Sequence, residues 1–120
     1  MNVALPNGMV MVSPSATSPG LSHNNNEDKG LFFRTAPSDA RQGVVMTEVL
    51  MDQGIKSVAV TYTNNDYGKG LADAFQSAYE AAGGTITINA PHEEGKADYS
   101  SEVAALAAAG GDRLVVAGYV

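Results

Sequence analysis

The sequence predicts an α/β fold, a Rossmann-like lobe in which helices cover both faces of a doubly wound parallel sheet. Two observations carry this. After Pro37, apolar β-branched runs alternate with stretches of helical periodicity, and the helical stretches end at glycines. Small-residue polar loops follow two of the apolar runs, Ser13 to Pro19 behind Met9-Val10-Met11-Val12 and Asn65 to Gly70 behind the run that ends at Tyr62. Strands separated by helices are joined by right-handed crossovers, and such crossovers build parallel sheets.

Taken in order, Met9-Val10-Met11-Val12 is a short apolar run stopped by Ser13-Pro14, as suits a buried strand that delivers a polar loop at its carboxyl end. Residues 20–30 are polar and Asn-rich and read as a surface loop. Leu31 to Thr35 is a second strand, stopped by Pro37. Asp39 with Gln42 three residues later has capping-box spacing, so a helix is expected from about Ala40 to Gln53. Val44, Val45, Val49 and Leu50 form its apolar stripe, and Gly54 terminates it. Ser57 to Tyr62 is the next strand, Gly68 to Ala82 the next helix, and Gly83-Gly84 its stop. Thr85 to Asn89 reads as a strand, Tyr99 to Ala109 as a helix capped by Asp98, and Arg113 to Gly118 as the last strand.

Composition narrows the function classes. With 120 residues, 44% apolar and 17% charged, the chain is the size of one ordinary globular domain. A net charge of -6 disfavours nucleic-acid phosphates and anionic membrane surfaces, both of which need a basic patch. A small molecule or a protein partner is expected instead. There is no cysteine, which removes disulfides and thiolate metal sites. The first residues, Met1 to Gly8, lack the basic start and apolar stretch of a signal peptide, and no run reaches membrane-spanning length.

In doubly wound sheets ligands bind beyond the carboxyl ends of the strands, where both marked loops fall. Ser15, Thr17 and Ser18 offer hydroxyl donors for an oxyanion, and the loop carbonyls can accept from an ammonium group. That combination suits a zwitterion such as an amino acid. Tyr67 is a flat amphipathic side chain flanked by small residues, able to pack on a ligand's apolar portion. Asp39 opens the helix between the two loops.

Met11-Val12-Ser13-Pro14-Ser15-Ala16-Thr17-Ser18-Pro19, then Phe33-Arg34-Thr35 with Asp39 and Gln42-Gly43, then Asn65-Asp66-Tyr67-Gly68, Asp98-Tyr99-Ser100 and Val115-Val116-Ala117-Gly118-Tyr119, occur in an order and spacing that cover nearly the whole chain. In these segments the chain resembles the extracytoplasmic amino-acid-binding receptors of ABC transporters, above all the leucine/isoleucine/valine-binding proteins. The resemblance implies a type I periplasmic-binding fold, two α/β lobes closing on a ligand by hinge motion. It implies that residues 1–38 are the end of the first lobe and a crossing segment, and residues 39–120 the first half of the second. Ser15, Ala16 and Thr17 would face the ligand, the Thr17 hydroxyl and amide holding the α-carboxylate and a carbonyl near Ser15 receiving the ammonium. Tyr67 would close over it from the second lobe, and Asp39 would line the cleft near the crossing. The implied partners are an amino acid and, for the full-length receptor, ABC permease subunits in a periplasmic or extracellular setting.

Such receptors are much longer than this chain, so it reads as an internal fragment whose uncovered surfaces favour a homo-oligomer. No cofactor and no catalytic residue is expected. Gly68-Lys69-Gly70 lacks both the third glycine of a dinucleotide fingerprint and the ending of a P-loop. No nucleophile is paired with a base, and neither His23 nor His92 has metal-ligand spacing around it. Ser-Pro-rich loops, half-buried tyrosines and helix-capping aspartates are also ordinary structural features. Two other classes remain open, a sensory domain that detects amino acids or amides for a protein partner, and an α/β enzyme with a phosphate-containing cofactor.

Overall fold

In a computed structural model of the chain, which describes residues 3–21 and 28–119, the strands form two separate parallel sheets. The smaller pairs β1 (Met11–Ser13) with β2 (Phe32–Arg34), Met11 opposite Phe32. The larger has the order β4-β3-β5, with β3 (Ser57–Thr63) between β4 (Thr85–His92) and β5 (Arg113–Ala117). Three helices connect these strands: α1 (Asp39–Asp52) after β2, α2 (Asp66–Ala81) between β3 and β4, and α3 (Ser100–Ala109) between β4 and β5. The expected surface loop at 20–30 lies largely outside the described residues, and His23 lies wholly outside them.

Central β3 is buried on both faces, as its unbroken apolar run requires. Val58 and Val60 point to one side and meet Phe75 and Tyr79 of α2, with Ile55 and Val115 completing the core. Ala59, Thr61 and Thr63 point to the other, where α3 lies. Helices therefore cover opposite faces of the larger sheet, the doubly wound arrangement. The Tyr79 ring is fully buried because its hydroxyl donates to the Ile55 carbonyl at 2.9 Å.

Helix α1 departs from the expected pattern. Leu50 packs on the core, but Val44, Val45 and Val49 are exposed, and the buried positions are Asp39, Gly43 and Thr47. These three are spaced by one helical turn, and α1 uses them to lie close against α2. A methyl group at Gly43 would stand 2.8 Å from the backbone of Ala74 and Phe75, so the small residue sets the helix separation. The N-cap also differs: Ser38 accepts from the Ala40 amide, and Asp39 is the first helical residue with its carboxylate turned inward. For α3, Asp98 accepts from the Ser100 amide and hydroxyl one position before the cap. β4 continues past Asn89 through Pro91, which a strand at the edge of its sheet tolerates.

Gly43→Ala is expected to lower stability by about 2 kcal/mol, because overpacking against immovable backbone outweighs the better helix propensity of alanine. Val49→Ala on the exposed side should stay within about 0.5 kcal/mol. Urea unfolding of the two variants checks the contrast, and equal losses would contradict this packing of α1 on α2.

Candidate functional site

The carboxyl end of β1 and the amino end of α2 face each other across an open cleft of about 920 Å³. Ser15, Ala16, Thr17 and Ser18 form one wall; Tyr67, Lys69, Gly70 and Tyr119 stand on the other. Arg34, at the end of β2, shapes the first wall by donating to the carbonyls of Ser18 at 2.9 Å and Ala16 at 3.4 Å. The Ser13 hydroxyl accepts from the Ala16 amide at 2.9 Å, so the loop turns back on its own strand.

Thr17 and Asp39 are joined twice. The Thr17 hydroxyl donates to Asp39 Oδ2 at 2.9 Å, and the Asp39 amide donates to the Thr17 carbonyl at 2.9 Å. Asp39 itself is 0% exposed and does not reach the cleft wall; it stands behind Thr17 and fixes it. Its Oδ1 is buried and has no hydrogen-bond partner among the described residues. Of the five residues singled out in the sequence, four thus line one cleft, and the fifth positions one of those four.

The second wall starts from the Asn65 cap, whose side chain accepts from the Gly68 amide at 2.8 Å. Gly68, Lys69 and Gly70 accordingly lie in the first turns of a helix and form no phosphate-cradling loop. The Tyr67 ring is half-buried and packs on Tyr119 with ring centroids 5.2 Å apart. Burial, then the negative charge of Asp39, then Tyr119 hold the Tyr67 phenol above its ordinary pKa. Tyr119 escaped the site reading because it is nearly the last residue, beyond the strand, and its place became visible only when β5 aligned beside β3. Among the described residues no group of histidines and carboxylates could hold a metal ion, and no helix is long and apolar enough to cross a membrane.

In doubly wound sheets small ligands bind beyond the carboxyl ends of the strands, which is where this polar loop and aromatic wall stand. The family model described as "Periplasmic binding protein" matches residues 1–120, and the chain belongs to that family. It is 39% identical over 114 residues to Leu/Ile/Val-binding protein homolog 3 of Brucella melitensis, a match covering 94% of this chain and 30% of that protein. It is 28% identical to a leucine-, isoleucine-, valine-, threonine- and alanine-binding protein of Pseudomonas aeruginosa, covering 93% and 30%. An ABC transporter substrate-binding protein from Desulfitobacterium hafniense, solved in complex with Leu, superposes with a TM-score of 0.69 at 31% identity, over 96% of this chain and 33% of its own. A leucine-binding protein from Thermotoga maritima gives a TM-score of 0.84 at 24% identity, over 98% and 33%, a likeness of fold. The chain spans about a third of the length of these relatives.

Replacing Asp39 by Asn removes the charge beside Tyr67 while leaving an oxygen for Thr17. The Tyr67 titration midpoint, followed by its ring carbon resonance, is expected to fall in Asp39→Asn. It should stop above the ordinary tyrosine value, because burial is the larger cause. A midpoint that does not move would break the link between the two residues.

Proposed function

We propose that the chain is part of a solute-binding receptor of an amino-acid ABC uptake system, that it takes a branched-chain or related amino acid in the cleft between Thr17 and Tyr67, and that it does no chemistry on it. The observation that carries the reading is that cleft: a hydroxyl- and amide-rich loop faces an aromatic pair across a space of about 920 Å³. The Thr17 amide and the hydroxyl of exposed Ser15 are donors for the α-carboxylate, and the Ser15 carbonyl is an acceptor for the ammonium. Because the Thr17 hydroxyl hydrogen is given to Asp39, Thr17 Oγ1 also turns a lone pair outward. Tyr67 and Tyr119 supply apolar ring surface for an aliphatic side chain.

In this reading residues 1–38, with the β1-β2 sheet, belong to one lobe and residues 39–120, with the β4-β3-β5 sheet, to the other. The separation of the two sheets supports that division. The whole receptor works outside the cytoplasmic membrane and delivers its ligand to permease subunits, in keeping with relatives named as Leu/Ile/Val-binding proteins. The chain alone exposes Val103, Leu114 and Val116 on the α3 side of the sheet, and a second copy covers them.

Native mass spectrometry of the 120-residue chain with leucine, isoleucine or valine is expected to show dimers or larger species that retain one amino acid per chain. Thr17→Val should weaken leucine binding by about tenfold, since it removes a hydroxyl held by Asp39. A folded chain that keeps none of the three amino acids at millimolar concentration would sink the binding reading. A strictly monomeric folded chain would sink self-association.

A further inference from the structure

His92 ends β4 and faces Thr63 across the β3–β4 ladder. Its ring sits between two threonine hydroxyls on one face of β3, with Nδ1 2.8 Å from Thr61 Oγ1 and Nε2 3.3 Å from Thr63 Oγ1. Thr61 gives its single hydroxyl hydrogen to the Ala90 carbonyl at 3.0 Å. The hydrogen-bond pattern therefore assigns the ring hydrogen to Nδ1, which donates to Thr61, and leaves Nε2 to accept from Thr63. An imidazole offers a donor and an acceptor on opposite edges of a rigid ring, which is what this gap between two hydroxyls calls for.

Thr63 is 3% exposed, and two glycines press onto it. A Cβ at Gly68 would stand 2.2 Å from the Thr63 carbonyl oxygen; one at Gly118 would stand 3.1 Å from Thr63 Oγ1 and 3.4 Å from His92 Nε2. Gly68 follows Tyr67 and Gly118 precedes Tyr119, so both members of the aromatic pair rest on the same residue. The main chain adds a third tie: the His92 carbonyl accepts from the Asn64 amide at 2.9 Å. The neighbouring Asn65 caps α2 and reaches the Tyr119 hydroxyl at 3.5 Å.

We propose that His92 is a positioning residue for the cleft: by holding the Thr63 hydroxyl it fixes the common seat of Gly68 and Gly118, and with it the placement of Tyr67 against Tyr119. Its geometric part stands on the fold alone. Its effect on affinity rests on the amino-acid-binding reading given above.

The test uses the full 120-residue chain and proton NMR, with the tyrosine rings assigned by Tyr→Phe replacements. The parent is expected to show a ring-to-ring Overhauser effect between Tyr67 and Tyr119, and another between Phe75 and Tyr79, whose centroids are also 5.2 Å apart. In His92→Ala and Thr63→Val the first should vanish and the second persist, while Thr63→Ser, which keeps the hydroxyl, should retain both. A general loss of structure would weaken both together. Leucine affinity on the same samples should fall about tenfold in His92→Ala. A Tyr67–Tyr119 effect that survives in His92→Ala overturns the proposal, and should that variant not fold, survival in Thr63→Val overturns it. A parent that shows the ring contact without binding leucine defeats the amino-acid reading and leaves the positioning role intact.

Discussion

The double hydrogen bond between Thr17 and Asp39 is the constraint on which the site depends. It ties the loop that leaves β1 to the first turn of α1, beside the segment Thr35 to Ser38 that joins β2 to α1. A fully buried carboxylate is expensive to keep, and the cost is offset only when its oxygens find donors. Here Oδ2 has the Thr17 hydroxyl, whereas Oδ1 has no donor among the described residues. Asp39 stands in the first turn of α1, and its negative charge acts on the Tyr67 phenol on the far wall. One residue thus sets the geometry of the first wall and part of the electrostatics of the second.

The second wall is built differently, by close packing with few polar ties. Gly68 and Gly118 let two stretches of backbone approach Thr63 closely, Gly68 so closely that no side chain could fit, and the two tyrosines next to them meet as a consequence. The contact at Gly68 tolerates no added volume, because the atoms it meets are main-chain atoms of Thr63 and cannot rotate away, whereas Gly118 abuts the side chains of Thr63 and His92. Polar clasp on one side and glycine packing on the other give a cleft with one hydrogen-bonding wall and one aromatic wall, a division that matches the two ends of an amphipathic small molecule.

Much of this was legible in the sequence, and the parts that were not share a cause. Strand and helix order followed from periodicity, and Ser15, Ala16, Thr17 and Tyr67 fell on one cleft because both loops sit at carboxyl ends of parallel strands. The valine stripe of α1 misled because helix burial is decided by the partner. Facing another helix, α1 turns its small residues Gly43 and Thr47 inward and leaves Val44, Val45 and Val49 outside. Asp39 has the spacing of a cap, yet the pull of Thr17 draws its carboxylate away and Ser38 takes over the capping bond. Tyr119 and His92 owe their places to β5 and β4 lying on either side of β3, and no local pattern encodes a pairing between strands so far apart in the chain.

The two walls belong to sheets that share no strand pairing among the described residues, so the width of the cleft is governed by few contacts. Among the described residues these include the Thr35–Ser38 connection, the Thr17–Asp39 clasp, and the approach of Gly70 to Ser18, where an added Cβ would lie 3.4 Å from the hydroxyl oxygen. The clasp is a pivot on the α1 side, whereas the Gly70–Ser18 approach is ordinary van der Waals contact that can open at small cost. A ligand that engages the amide of Thr17 and the ring of Tyr67 at once gains more from a narrow cleft than from a wide one. That differential affinity is the only quantity by which a ligand can shift such an equilibrium. A rigid clasp beside a loose contact is therefore an arrangement in which a small solute, were it bound between the walls, would draw them together without disturbing the loop after β1.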